Sequence, residues 1–400
     1  MADRQHAVVV GGGIGGLGAA LGLRRAGWRV TVLERADRFD PVGAGITLMP
    51  NALRALDALG MGSEVRALVP VQQSGGLRTS SGRWLSRWDG AAVEQLMGAP
   101  MVALHRADLH RILRAPLPAE SVRTGVEVLG VGQAPDGRPR VQCAAAAAID
   151  EPDLVVAADG IDSRVRTQRW PEVPGPAYTG LTTWRGMSPE PSGPPLDIGR
   201  SWGRGAEFGI IPLTDGRIYW FGAVEAQPGV RHDDERAAVR ERFGHWHAPI
   251  RELVDTSEVV LHHDIHHLRT LPRSFVRGRV VLLGDAAHAM PPQLGQGGCQ
   301  ALEDAVVLAA SLVRERDIDA ALARYDEQRR PRTGAVARSA GQVGRLNVLA
   351  NPLAVAARNM LIRLTPSAVG IRGLARFGRW EPPDIPGPSV PERAAGSPFR

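Results

Sequence analysis

Apolar residues along this chain change their spacing several times, and each change marks an element. Ala7 to Val10 form a short apolar run of the kind a buried parallel strand needs. After a cluster of glycines, Leu17, Ala19, Leu21 and Leu23 follow at mixed helical spacing, and Arg29-Val30-Thr31-Val32-Leu33 reads as a second strand. Residues 1 to about 70 therefore alternate strand and helix, with Asn51 placed to cap a helix that carries Leu53, Leu56 and Leu59 and stops at Gly60. From 71 to 102 the segments shorten, and Gly75, Gly76, Gly82 and Gly90 read as turns around Trp84 and Trp88, a hairpin leaving the first domain. Residues 103–115 read as a helix and 121–160 as returning strands.

Pro/Gly-rich residues 171–176 and 189–195 bracket an excursion rich in strands, which runs through Phe208 to Ile211 and Ile218 to Phe221 and ends at Leu261 to Ile265. Helices follow from about 298. The pattern predicts an α/β chain: a discontinuous Rossmann-like nucleotide-binding domain (1–70, 103–175 and 270–335) interleaved with an antiparallel-sheet substrate domain (71–102 and 176–269). A C-terminal helical region (336–380) and a flexible Pro-rich tail (381–400) complete it.

The glycines carry the first chemistry. Gly11, Gly13 and Gly16 stand at GxGxxG positions between a strand and a helix, with Gly15 inside the motif. Such glycines turn the backbone tightly and let a pyrophosphate approach the helix N-terminus, where free N–H groups and the dipole favour anions. The second strand then delivers Glu34, whose carboxylate can accept both hydroxyls of an adenosine ribose and would repel a 2′-phosphate. Two further strands end in acids: Asp153 to Ala158 leads into Asp159-Gly160, and Arg279 to Leu283 leads into Gly284-Asp285. One such aspartate can simply cap the next turn. Two of them, with the glycine fingerprint and a second glycine turn at Gly295-Gln296-Gly297-Gly298, point to bound FAD.

Composition removes some alternatives. The 400 residues carry 48 basic and 42 acidic side chains, a net +6, and every basic residue is arginine. Arginine does not titrate below about pH 12, so a modest excess gives the extreme calculated pI of 10.3. The acids read as scattered among the arginines, with no basic run of five, which argues against a nucleic-acid surface. Met1 to Arg4 lead straight into the first strand, so no signal peptide is expected. No apolar stretch of membrane-spanning length occurs, and Cys143 and Cys299 form no metal spacing, so the expected location is the cytoplasm.

The Gly11/Gly13/Gly16 fingerprint, the Asp159-Gly160, Ser163, Arg166 element and the Gly284-Asp285-Ala286-Ala287-His288 to Gly297 element resemble the three signatures of single-component, FAD-dependent aromatic hydroxylases of the para-hydroxybenzoate hydroxylase type. Gly297-Gly298-Cys299 and Trp184-Arg185-Gly186 resemble the salicylate-, urate- and kynurenine-hydroxylase branch. The resemblance implies that Glu34 holds the adenosine ribose, with Arg35 toward the adenine, and that Arg106 lies near the pyrophosphate and ribityl chain. It places Asp285 on the ribityl chain or pyrophosphate, Asp159 in FAD and pyridine-nucleotide handling, and Pro292, Gly295, Gly297 and Gly298 against the isoalloxazine. Cys299 stands where many relatives carry asparagine and is read as a small packed residue without a redox role.

The chemistry so implied is reduction of FAD by NADH or NADPH, bound only transiently, then formation of a C4a-hydroperoxide with O₂ and oxygen transfer to a small aromatic or polycyclic substrate. Epoxidation of an alkene or indole, a non-oxygenating dehydrogenase or reductase, and a flavin-binding protein with no turnover are the alternatives. A flavin halogenase is disfavoured, because its Trp-x-Trp-x-Ile-Pro pattern and its lysine are both missing. The substrate is expected between the flavin and the inserted sheet, where Trp84, Trp184, Trp202, Phe208, Trp220 and Phe221 either line the pocket or form ordinary core. Arg185 and Arg204 are candidates for a carboxylate or phenolate, or else ion-pair partners; His288 either shapes its turn or acts on flavin protons. The His262-His263-Asp264-Ile265-His266-His267 segment puts only two histidines on each face of a strand, so no metal is assigned. A monomer or a homodimer is expected.

Overall fold

The computed structural model describes residues 5–39, 45–68, 74–144 and 151–385. Its first sheet runs Val276–Arg277, Val280–Leu282, Leu154–Ala157, His6–Val10, Arg29–Leu33, Val122–Arg123, and every pairing is parallel except that of the outermost strand Val276–Arg277. Parallel strands covered on both faces need continuous apolar runs, and this sheet has them. Val8, Val9, Val155, Val156 and Val281 are fully buried, each contributing about 1.5–3 kcal/mol of apolar burial. Helices Ile14–Arg25 and Gly297–Arg314 belong to the same core.

The second sheet has seven strands, in the order Val260–His267, Ala177–Pro189, Arg217–Glu225, Ala206–Pro212, Ile198–Trp202, Gly75–Thr79, Trp84–Trp88. It is antiparallel apart from the pairing of Ile198–Trp202 with Gly75–Thr79. One face packs Trp184, Phe208, Ile210 and Trp220 against helices Glu235–Phe243 and Ile250–Asp255. The other face turns toward the first sheet. Helices Ile318–Asn347, Pro352–Leu364 and Ser367–Gly378 complete the described chain.

Four local expectations are corrected. Asn51 is not a cap: the cap of helix Pro50–Ala58 lies two residues earlier, at Met49, because Pro50 fits the first turn, and the buried Asn51 amide bonds Gln296 and Glu303 instead. Residues 102–105 are a strand paired with Gly45–Leu48, and the helix begins only at Arg106 behind a His105 cap. Gly90 opens a helix, Gly90–Met97, because Asp89 accepts the Ala92 N–H and Gly98, at φ +74°, ends it. At the tail, Ile385 is buried in the nucleotide-domain core and Glu381 pairs with Arg54, so 381–385 are anchored. Residues 386–400 lie outside the described residues, as does most of the alanine run at 144–148.

Glu303 and Asp304, side by side on helix Gly297–Arg314, have no solvent access. Glu303 accepts from Asn51 Nδ2 (2.6 Å), Gln300 Nε2 (3.1 Å), Arg329 Nη1 (2.5 Å) and Arg332 Nε (2.5 Å). Asp304 accepts from Arg329 Nε (2.6 Å), the Gly284 N–H (3.0 Å) and His288 Nε2 (2.6 Å). Burial alone would raise the Asp304 carboxyl, but the His288 and Arg329 partners outweigh it and hold the group down at about 2.

Removing the shared arginine leaves Asp304 with no guanidinium and Glu303 with Arg332 alone, so Arg329→Met is expected to cost about 3–5 kcal/mol in urea unfolding. Because the folded Asp304 carboxyl sits below the ordinary 3.8, its stabilisation is complete above that pH and is lost as pH falls toward about 2. The stability difference between wild type and Asp304→Asn, followed by urea midpoints across that range, should shrink accordingly.

Candidate active site

The strand His6–Val10 ends at Gly11, which turns at φ +100°, and a Cβ there would lie 2.3 Å from the Ala158 carbonyl oxygen. A Cβ on Gly16 would lie 1.9 Å from the Gly11 carbonyl oxygen. Only glycine lets strand, turn and helix approach this closely. Gly13 then starts helix Ile14–Arg25 with no capping side chain and no acid in the first turn, and nothing lies within 4 Å of the place its Cβ would occupy. Free N–H groups and the dipole therefore face open space. Glu34, at the end of the neighbouring strand, accepts the Gly12 N–H at 2.7 Å and the Ala36 N–H at 3.0 Å, leaving lone pairs on both oxygens. His110 Nε2 donates to the Gly12 carbonyl (2.7 Å) and steadies the turn from helix Arg106–Arg114.

A second helix start faces the same space. Gly284, at φ +62°, leads into Asp285–His288, and Pro292–Leu294 and Gly295 lead to helix Gly297–Arg314, which begins without a capping side chain or an early acid. The two strand-end aspartates differ. Asp159 accepts the Ser163 hydroxyl (2.6 Å) and the Val165 N–H (3.2 Å), so it caps the following turn. Asp285 is exposed into the cavity. Buried Arg166 donates to the Ala286 carbonyl (3.0 Å) and the Ile161 carbonyl (2.6 Å), locking the two loops together.

Between these loops and the second sheet lies a cavity of about 380 Å³. Of the residues singled out from sequence, Gly13, Gly15, Arg106, Arg185, Asp285, Pro292, Gly295, Gly297 and Gly298 line it. Gly11, Gly16 and Glu34 shape its glycine turn from behind. Arg35 is exposed and does not line it. Arg204 is a correction: it is exposed and donates to the Ala350 carbonyl (3.3 Å), because its loop lies beside the C-terminal helices. His288 is fully buried on Asp304, which favours the turn-shaping role. Cys299 is buried, its Sγ 3.3 Å from the Gly295 carbonyl oxygen, and burial pushes the thiol up to about 12.

Of the six aromatic candidates, only Phe221 reaches the cavity. Trp184 donates to Glu235 (2.7 Å) and stacks on His262, Trp220 donates to Ser257 (2.7 Å), and Phe208 lies on Trp220 in the opposite core. Trp84 sits between Arg78 and Arg87, and Trp202 lies under Arg358. The cavity face instead carries Thr183, Arg185, Glu207, Ile211, Tyr219, Phe221 and Ala223. Strand alternation from Arg185 selects this set: Arg185 is registered with Phe221, Thr183 with Ala223, and Ile211 with Tyr219. Arg200 joins it from the next strand, donating to the Gln293 carbonyl (2.8 Å) with Glu207 3.8 Å away. Arg185 makes no hydrogen bond to any described residue.

The model of the FAD binding domain family matches residues 4–340. This chain belongs to that family. It is 39% identical over 364 residues to the aurachin C monooxygenase/isomerase of Stigmatella aurantiaca, covering 90% of this chain and 94% of the relative. It is 33% identical over 337 residues to the FAD-dependent urate hydroxylase of Klebsiella pneumoniae, covering 81% and 86%. The crystal structure of Klebsiella pneumoniae HpxO complexed with FAD and uric acid superposes with a TM-score of 0.87 at 28% identity, over 94% of this chain and 96% of that one. The residues present fit FAD. Two helix N-termini free of capping side chains meet at one cavity, the Cβ positions of Gly13, Gly160 and Gly295 face open space, and a carboxylate stands at the end of the second strand.

Two substitutions separate folding from cofactor binding. Gly16→Ala forces its Cβ into the Gly11 carbonyl and is expected to lower the thermal midpoint as well as FAD content. Gly13→Ala meets nothing in the protein but enters the cavity, so the midpoint of the apoprotein should hold while FAD affinity, read by fluorescence titration, falls by about tenfold or more.

Proposed function

We propose that this protein is an FAD-dependent monooxygenase that uses NADH or NADPH and O₂ to insert one oxygen atom into a small aromatic or polycyclic substrate. The carrying observation is the two-sided cavity: the glycine loops form one wall and the Arg185, Tyr219, Phe221 face of the seven-stranded sheet forms the other. The names of the relatives, which include a urate hydroxylase and an aurachin C monooxygenase, support an electron-rich ring as substrate. In this reading residues 1–70, 103–175 and 270–335 hold the cofactor, and 71–102 and 176–269 cover the substrate.

Bound FAD supplies the redox chemistry, taking electrons from the nicotinamide and activating O₂. Glu34 receives the adenosine ribose hydroxyls, and the N–H groups opening helix Ile14–Arg25 receive the pyrophosphate. The N–H groups opening helix Gly297–Arg314 would stabilise negative charge on a flavin ring held against them. Ile211, Phe221, Ile265 and Met290 exclude water from the reacting face. Arg185, half-buried and without a hydrogen-bond partner among the described residues, orients an acceptor oxygen of the substrate. Arg200 is already engaged by Gln293 and Glu207 and fixes the wall. Tyr219 is a neutral phenol, since burial pushes it up.

Substrate-stimulated NAD(P)H oxidation with ¹⁸O from ¹⁸O₂ entering the product is the expected result; anaerobic turnover with an artificial acceptor and no label would make the protein a dehydrogenase. Arg185→Met is expected to lower kcat/KM by about 10- to 100-fold, the loss of one charge-assisted hydrogen bond, without lowering FAD content.

A further inference from the structure

Helix Pro352–Leu364 is built inside out. Its solvent-facing stripe is Leu353, Ala357, Met360, Leu361 and Leu364, and the four large side chains are 81%, 61%, 67% and 74% exposed in that order. Its one buried side chain is an arginine: Arg358, 7% exposed, lies over Trp202 and donates to the carbonyls of Leu346 (2.8 Å) and Asn347 (3.1 Å). Of the nine large apolar side chains exposed among the described residues, six (Leu346, Leu353, Met360, Leu361, Leu364 and Val369) fall between 346 and 369. Scattered exposed leucines are ordinary; a contiguous stripe at helical spacing is not.

The same segment is where the positive charge resides. Acids are not scattered here as they read across the chain as a whole: between Glu327 and Glu381 there is no Asp or Glu, and there are ten arginines, of which Arg329 and Arg332 pair with Glu303 and Asp304 and Arg358 is buried, leaving seven. The rest of the chain has more acids than arginines. Arg345, Arg363 and Arg372 are exposed and form no salt bridge among the described residues, and Arg363 flanks the stripe.

We propose that this face docks on the surface of an anionic phospholipid bilayer. An apolar stripe with Arg363 at its edge, and with exposed Arg345 and Arg372 on the helices before and after it, matches both layers of such a surface, acyl boundary and phosphate headgroups. A second copy of this chain matches only the first, since two-fold pairing would set one acid-free arginine field against another. The helix lies on the membrane and does not cross it; no described helix is long and apolar enough to span one. Arg345 and Val348, just before the stripe, line a cleft of about 1710 Å³, and Gln293 borders both that cleft and the active-site cavity. Buried Gln293 is thus the side chain that stands between the cleft beside the stripe and the reacting face.

The test is co-sedimentation of the FAD-loaded full chain with phosphatidylcholine vesicles, with and without phosphatidylglycerol. Binding is expected to the anionic vesicles only, to weaken as salt is raised, and to fall by about tenfold or more in Leu361→Glu/Leu364→Glu. FAD content and thermal midpoint of that variant should match wild type. Absence of vesicle binding, equal binding by the variant, or a concentration-dependent dimer that the same substitutions dissolve would each overturn the proposal, the last by making the face a self-interface.

Discussion

Two carboxylates that no water reaches, Glu303 and Asp304, set the geometry on which the active site depends. They lie less than two turns into the helix whose first residues face the cavity, so whatever holds them holds the cavity wall. Asp304 grips Gly284 and His288 of the loop before the helix, Glu303 grips Asn51 of a distant helix, and Arg329 binds both carboxylates from helix Ile318–Asn347. Buried ion pairs of this kind contribute little net stability over a well-packed apolar cluster, since the desolvation they require offsets the attraction. What they contribute is exclusivity of arrangement. An apolar cluster would tolerate a shift of the 284–298 loop; a set of directed bonds to one shared arginine does not.

That fixity matters because the opposite wall is a sheet, which has only two choices of face. In the middle of Ala177–Pro189 and Arg217–Glu225, Thr183, Arg185, Tyr219, Phe221 and Ala223 go to the cavity while Trp184 and Trp220 go to a core closed by two helices. A one-residue slip would exchange Arg185 for Trp184 and Phe221 for Trp220, filling the substrate space with tryptophan. The register is held from the core side: Trp184 and Trp220 each find a hydrogen-bond partner there, Glu235 and Ser257, which neither would find in the cavity.

The nucleotide half was legible in the sequence because its constraints are local. Gly11 needs a positive φ, Gly16 sits against a carbonyl five residues back, and Glu34 follows its strand directly, so spacing alone carries the inference. The substrate half is written in pairings between distant strands. Six aromatic residues looked equivalent in one dimension, and only the register shows that Phe221 alone of them reaches the cavity. Arg200, Glu207 and Tyr219 gave no signal, since their common face exists only after three strands align. Asp159 and Asp285 likewise share a strand-end position, and what separates them is Ser163, whose hydroxyl occupies the first and has no counterpart at the second.

The inverted C-terminal helix was hidden for a different reason: chain-wide charge counts average a region without acids against a remainder with an excess of them. Its orientation is nevertheless specified. Arg358 satisfies the last carbonyls of helix Ile318–Asn347, which have no partners within their own helix. Turning the leucines inward would bring Arg358 out and leave those carbonyls bare. Asn347, whose carbonyl it binds, in turn donates its side-chain amide to Glu207 on the cavity wall at 2.7 Å. The contact that forces the apolar stripe outward is therefore two hydrogen bonds from the substrate space, and any surface that engages the stripe bears on Glu207 through it.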